Sequence, residues 1–78
     1  MSALDQLRET IAITLSLDPA EVTETTRQEE TGNWDSLAHV NLMVALEETF
    51  GVQLEPEDFP RLTSVSAILT YLRERGIT

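Results

Sequence analysis

The tripeptide Asp35-Ser36-Leu37 places a carboxylate, a hydroxyl and an apolar side chain at the start of a predicted helix. Asp35 has the position of an N-cap, whose carboxylate accepts hydrogen bonds from the free N–H groups of the first turn. Ser36 follows at the first helical position, where the helix dipole favours negative charge, so a phosphate ester on its hydroxyl would be tolerated. Taken alone, the tripeptide also fits an ordinary capped helix with a neutral surface serine.

His39 lies one turn from Ser36 and raises the possibility of a serine–histidine catalytic pair. The sequence offers neither an orienting acid nor an oxyanion hole for such a pair, so we expect an exposed histidine that contacts partners. Trp34 precedes the tripeptide and is interpreted as a packing residue that also touches a partner. The acids of 29–30 and 57–58 lack the alternating ligands of an EF-hand loop, so we expect solvated carboxylates and no metal site.

Charge is the strongest compositional signal. The 78 residues include fourteen acids against five arginines, with no lysine and a formal charge of −9. This balance disfavours binding to nucleic acids and to anionic membranes, and it favours basic protein surfaces as partners. The alternative is that the charge only aids solubility. The chain has no cysteine, which excludes disulfides and a thiolate of its own.

The chain is expected to form one domain over residues 1–78 and to act as a monomer. No apolar run approaches the ~20 residues needed to cross a bilayer, so no membrane insertion is expected. The first residues carry an acid and no basic cluster, unlike a secretory signal. A cytoplasmic location is the resulting expectation.

Apolar periodicity and capping signals predict an all-α fold, a small irregular four-helix bundle with three main helices and a short one before the last. The first helix is capped by Ser2 and fades near Ser16, and a turn over 18–22 and a loop over 23–34 follow it. The second helix covers 36–50 and ends at Gly51. One turn over 55–59 is stopped by Pro60, and the last helix is capped by Thr63 or Ser64.

The predicted core takes one apolar face from each main helix and the apolar residues of the links between them. In the second helix, the buried face is assigned to Leu37, Val40 and Val44, together with Leu46 and Phe50. Val22 and Trp34 are expected to pin the long loop to the core. The other predicted core residues are Leu4, Leu7, Ile11, Leu15, Val52, Leu54, Phe59, Val65, Ile68, Leu69 and Leu72.

The chain resembles the acyl carrier protein family over nearly its whole length. The resemblance rests on Asp35-Ser36-Leu37, on the segments 46–52 and 62–65, on the acidic balance and on the long loop before Ser36. It implies a non-catalytic carrier with 4'-phosphopantetheine on Ser36, a phosphoprotein modified from coenzyme A by a phosphopantetheinyl transferase. The arm ends in a thiol, which holds an acyl or aminoacyl group as a thioester during biosynthesis.

The resemblance also implies a docking surface around the arm. Its expected residues are Trp34, Asp35, Leu37, His39, Asn41, Glu47 and Glu48. The expected partners are the transferase, an acyl- or aminoacyl-loading ligase, and a downstream transferase or synthase, each with a basic docking surface.

Ala38 and Asn41 stand where carriers of fatty acid synthesis usually place acids, and Trp34 precedes the tripeptide as in some specialised carriers, including the D-alanyl type. The Gly-Gly-His-Ser type of site found in peptidyl carriers is absent from the sequence. Two rival functions remain open. One is an unmodified acidic helical adaptor for basic partners, and the other is a hydrolase that uses Ser36 and His39.

Overall fold

The structure, a computed structural model, describes residues 3–77 and confirms the all-α prediction. Its three main helices are α1 (Ala3–Leu15), α2 (Ser36–Phe50) and α3 (Val65–Glu74), and short 3-10 helices cover Pro19–Glu21, Gln28–Glu30 and Pro56–Arg61. Between residues 3 and 77 there is no strand, only an isolated bridge between Arg27 and Ser64. The predicted Ser2 cap lies outside the described residues. No helix in the described part of the chain is both long and apolar enough to cross a bilayer.

The connection from α1 to α2 is long but firmly attached to the rest of the fold. The turn predicted over 18–22 is a 3-10 helix capped by Asp18, with Glu21 completing the capping box. Val22 and Trp34 are buried, which confirms them as the anchors of the loop. Backbone hydrogen bonds from Gln28 N–H to Thr63 O (2.8 Å) and from Val65 N–H to Thr26 O (3.0 Å) join the loop to the start of α3. The residues before Ser36 are therefore held from two sides.

The face that α2 buries differs from the prediction. Leu37, Val40 and Val44 were expected in the core, but they are 72%, 46% and 45% exposed. The buried face consists of His39, Leu42, Met43 and Leu46. This second set follows the i, i+3, i+4, i+7 pattern, and the polar residue at its first position obscured it. Because α2 is apolar on both sides, periodicity alone could not choose between the faces.

The segment after α2 also departs from the prediction at one point. Pro60 was expected to stop the short turn, but the 3-10 helix continues to Arg61. Proline fixes a φ that 3-10 geometry accepts, so the helix loses only the hydrogen bond that the missing N–H would make. The next residue, Leu62, closes the turn by donating its N–H to Asp58 O and Phe59 O. Ser64 is the cap of α3, and its hydroxyl accepts from Ala67 N–H at 3.0 Å.

The core lies where the three main helices and the two ends of the long loop meet. Leu4, Phe50, Val52 and Phe59, predicted in the core, are partly buried and pack against it. Leu62, which the sequence did not single out, is buried. The buried apolar residues are Leu7, Ile11, Ala12, Leu15, Val22, Trp34, Leu42, Met43, Leu46, Leu54, Leu62, Val65, Ile68, Leu69 and Leu72.

Candidate functional site

Ser36 is the first residue of α2, and its side chain is exposed. Asp35 precedes it in an extended conformation (φ −87°, ψ −175°), and its Oδ1 accepts a hydrogen bond from Ala38 N–H at 2.8 Å. The predicted N-cap is confirmed. The cap uses one of the free N–H groups of the first turn, and the remaining helix-end polarity faces the side on which Ser36 is exposed.

An open groove runs beside Ser36. It is lined by Arg27, Gln28, Glu29, Trp34, Asp35, Ser36, Thr63 and Ser64. The groove therefore combines the end of the long loop, the start of α2 and the start of α3. A group joined to the Ser36 hydroxyl has open space next to it, so the residues present fit a bulky phosphate ester.

Arg27 contributes the positive charge at the edge of this groove, and it is paired with neighbouring carboxylates. Its Nε donates to Glu30 Oε1 at 2.9 Å, and its Nη1 lies 3.4 Å from Glu29 Oε1. The hydrogen bond from Arg27 and, after it, the guanidinium charge lower the pKa of Glu30. Both partners are solvent-exposed, so the pairing is screened and adds little stability.

His39 is not the exposed partner contact that the sequence suggested. It is only 8% exposed, and both of its ring nitrogens have partners. Trp34 Nε1–H donates to His39 Nδ1 at 3.0 Å, and His39 Nε2 lies 2.7 Å from Phe59 O. An imidazole held in this way cannot serve as a base for Ser36, which removes the geometry that a serine–histidine hydrolase needs.

The seven expected docking residues divide into three groups by exposure. Asp35, Leu37 and Asn41 are exposed in or next to the first half of α2, and Glu48 is exposed near its C-terminal end. Trp34 and His39 are buried and offer a partner almost no surface, so their expected direct contact is wrong for this structure. Glu47 is half-buried, and its Oε2 accepts from Leu54 N–H at 3.0 Å, which fixes the chain after α2.

Sequence reasoning missed the contribution of two valines to this surface. Val40 and Val44 were placed in the core, yet they extend the exposed face from Leu37 along α2. We call Leu37, Val40 and Val44 the apolar stripe. The signal that could have revealed it was the second apolar pattern through Leu42, Met43 and Leu46.

The acidic pairs at 29–30 and 57–58 include carboxylates that make contacts within the protein. Asp58 Oδ2 accepts from Glu55 N–H at 3.0 Å as part of a capping box. Glu29 and Glu30 pair with Arg27. Within the described residues, no group of three or more His, Asp or Glu side chains is arranged to hold a metal ion.

The chain is similar to known proteins over most of its length. The family described as a phosphopantetheine attachment site matches residues 5–72. An acyl carrier protein of Thermosynechococcus vestitus is 35% identical over 72 residues, which cover 92% of this chain and 89% of the relative. An acyl carrier protein of Chlamydia caviae is 33% identical over 75 residues, covering 96% and 97% of the two chains. One from Campylobacter curvus is 32% identical over 76 residues, covering 97% and 99%.

Proposed function

Because the chain belongs to the acyl carrier protein family, a non-catalytic family that carries phosphopantetheine, we propose that Ser36 is the residue to which the arm is joined. One observation carries the proposal: Ser36 is an exposed hydroxyl at the N-terminus of α2, beside an open groove. When bound, the arm supplies the thiol that this cysteine-free chain lacks, and that thiol holds an acyl or aminoacyl group as a thioester.

The chain's own residues hold the Ser36 hydroxyl where partner enzymes can reach it. Asp35 fixes the first turn of α2, so that Ser36 is held at the surface in one orientation. The anchors Val22 and Trp34 hold the preceding loop against the core. A flexible arm on a rigidly held serine raises the effective concentration of its cargo at each enzyme that docks.

Enzymes that act at Ser36 or on the arm are proposed to dock on the exposed side of α2. Any enzyme that reaches the Ser36 hydroxyl must cover the adjoining turns, where the apolar stripe begins with Leu37 and continues along α2 to Val44. Glu48 adds a negative charge at the far end. We therefore expect docking surfaces with an apolar centre and a basic rim on the transferase, the loading ligase and the downstream synthase.

Intact mass after incubation with coenzyme A and a phosphopantetheinyl transferase tests the site. The wild-type chain should gain one phosphopantetheine, and Ser36→Ala should gain none while its helical circular dichroism stays unchanged. Ser66→Ala is the matched control, because Ser66 is also an exposed serine in the first turn of a helix. Modification of Ser36→Ala would refute the site, and an unmodified wild type would favour the rival acidic adaptor.

The nature of the cargo follows from this proposal only in outline. Ala38 and Asn41 leave the first half of α2 without acids, which supports a specialised acyl or aminoacyl carrier over one of fatty acid synthesis. The cytoplasmic location and the monomeric state expected from the sequence stay predictions.

A further inference from the structure

The strongest feature outside the attachment residue is the buried hydrogen-bond chain Trp34–His39–Phe59. Trp34 belongs to the loop before α2, His39 to the second turn of α2, and Phe59 to the 3-10 helix Pro56–Arg61. The indole and imidazole ring centroids are 6.0 Å apart, and the Phe59 ring meets the imidazole edge-on at 6.4 Å. Ser36 lies within the stretch of chain that this contact closes.

The contact fixes the protonation state of His39. An indole N–H can only donate, so His39 Nδ1, 3.0 Å away, must accept. A backbone carbonyl can only accept, so Nε2, 2.7 Å from Phe59 O, must carry the proton. Both bonds are satisfied only by the neutral imidazole with its proton on Nε2.

A proton added to this ring has one place to go, which is Nδ1. The imidazolium would then point an N–H at the N–H of Trp34, and the hydrogen bond between the two side chains would be lost. Trp34 is 2% exposed, so water cannot take over the lost bond unless the indole moves. A buried donor without a partner is costly, and movement of the loop relieves that cost.

Charged groups on the elements that carry Trp34, His39 and Phe59 make bonds of their own. On its own helix, Asp35 Oδ1 accepts from Ala38 N–H, and in the 3-10 helix Asp58 Oδ2 accepts from Glu55 N–H. On the groove side of Trp34, Arg27 is paired with Glu29. The bonds made by the ring nitrogens of His39 are thus those to Trp34 and Phe59 O.

We propose that Trp34 and His39 form a proton-sensitive latch that positions the serine-bearing turn, closed when His39 is neutral and released when it is protonated. The latch rests on the proposed role of Ser36. It controls how Ser36 is presented and does not take part in the reaction of its hydroxyl. Trp34 and His39 are therefore positioning residues. Because the added proton and the Trp34 N–H compete for the same place at His39 Nδ1, acid favours the released form.

Two substitutions at His39 separate its hydrogen bond to Trp34 from its hydrogen bond to Phe59 O. His39→Asn keeps an amide oxygen near the Nδ1 position, which accepts from Trp34 and does not titrate. His39→Gln places an amide N–H near the Nε2 position, which keeps the bond to Phe59 O and removes the acceptor for Trp34. A merely structural role would make both variants lose function alike, with the pH profile of the wild type.

The test measures Ser36 modification by a phosphopantetheinyl transferase with coenzyme A between pH 8 and 5.5, where histidine titrates and most carboxylates stay charged. Division of the wild-type rate by the His39→Asn rate at each pH cancels the transferase's own pH dependence. This ratio should fall about fivefold or more towards pH 5.5, as expected for the loss of a buried hydrogen bond. His39→Gln should be slow at every pH.

A second readout needs no modification at all. The chain has one tryptophan and one histidine, so the indole N–H and the imidazole nitrogens each give a single assignable NMR signal. We expect the Nε2–H tautomer at pH 8, and an indole signal that shifts together with His39 protonation. The Nδ1–H tautomer, or an indole signal indifferent to that protonation, would overturn the latch. If Ser36 is not the attachment site, no variant is modified at Ser36 even at pH 8, whereas the NMR result stands.

If His39→Asn does not fold, Trp34→Phe takes its place as the reference. Phenylalanine keeps an aromatic ring in the pocket and removes the donor, so the latch cannot close at any pH. The wild-type rate divided by the Trp34→Phe rate should then be highest at pH 8 and approach one at pH 5.5. A ratio that does not change with pH would also refute the latch.

Discussion

At the scale of single residues, exposure divides the apolar side chains of α2 into two kinds with different tasks. Leu42 is fully buried in the core, whereas Leu37 is 72% exposed next to Ser36. Burial makes the first a determinant of stability. The position of the second makes it a candidate contact for every enzyme that reaches the serine.

Alanine at Leu42 should therefore affect stability, and alanine at Leu37 should affect loading. Leu42→Ala should lower the free energy of unfolding by about 2–5 kcal/mol, because it leaves a cavity in the core. Leu37→Ala should change that free energy by less than about 0.5 kcal/mol and slow loading by a cognate ligase about fivefold or more. Urea unfolding and loading rates measure the two effects. Normal loading of Leu37→Ala would contradict the proposed docking side.

A charge-reversal test on α2 must also separate a residue that supports the fold from one that is only exposed. Paired substitution of Glu47 and Glu48 by lysine follows naturally from the sequence, but Glu47 accepts from Leu54 N–H and holds the chain after the helix. Any change in loading would then mix docking with stability. Glu48 is exposed, so Glu48→Lys alone tests the charged rim.

The site was predictable from sequence where a local signal exists and unpredictable where it depends on packing. Asp35 as cap, Ser36 as an exposed first residue and Gly51 as the helix end all follow from short-range chemistry. The burial of His39 does not, because its partners come from two other segments of the chain. A lone polar residue in an apolar pattern gives no sign that such partners exist.

At the scale of elements, helix ends decide how the serine-bearing helix is held. α2 begins at the Asp35 cap and ends at Gly51, which has a left-handed conformation (φ 66°). Pro60 illustrates the limit of such signals. A proline that would stop an α-helix is accepted in a 3-10 helix, and the sequence did not show which kind of helix would form.

Gly51→Ala should destabilise the domain by about 1 kcal/mol. A Cβ at Gly51 meets no atom within 4 Å, so the cost comes from the left-handed backbone and not from a clash. Gly32→Ala is the matched control, since its Cβ is equally free and its φ is not positive. Chemical denaturation should show a loss only at position 51. Equal stability of the two variants would show that the left-handed cap carries no cost.

At the scale of the whole molecule, negative charge exceeds what the fold neutralises. The formal charge is −9 against five arginines, and one of these, Arg27, forms ion pairs with Glu29 and Glu30. Two other arginines use their guanidinium groups differently. Arg8 donates to the carbonyls of Val22 and Pro19, and Arg75 lies over the Tyr71 ring at 4.6 Å.

Salt should therefore raise the melting temperature, because it screens the repulsion among the carboxylates. A relief of about 1 kcal/mol corresponds to a rise of about 4–8 °C for a domain of this size. Thermal unfolding at low and high sodium chloride, and with a divalent cation, measures the effect. A melting temperature unaffected by ionic strength would show that repulsion does not limit stability.

Mild acidification makes two contributions of opposite sign to the stability of the fold. Protonation of carboxylates relieves repulsion and stabilises the fold, whereas protonation of His39 opens the Trp34 contact and destabilises it. The charge-based expectation of a simple gain in acid therefore applies to His39→Asn, in which only the first contribution remains. As pH falls from 8 to 5.5, where most carboxylates stay charged, the wild type should lose stability relative to this variant.

The central claim, that Ser36 carries the arm, is tested most directly by locating the modification in the unaltered chain. Cleavage after arginine gives a peptide of residues 28–61 in which Ser36 is the only serine. After reaction with coenzyme A and a phosphopantetheinyl transferase, the added mass should appear on this peptide, and fragmentation should place it on Ser36. Added mass on any other peptide, or on Thr31 or Thr49 of this one, would contradict the claim.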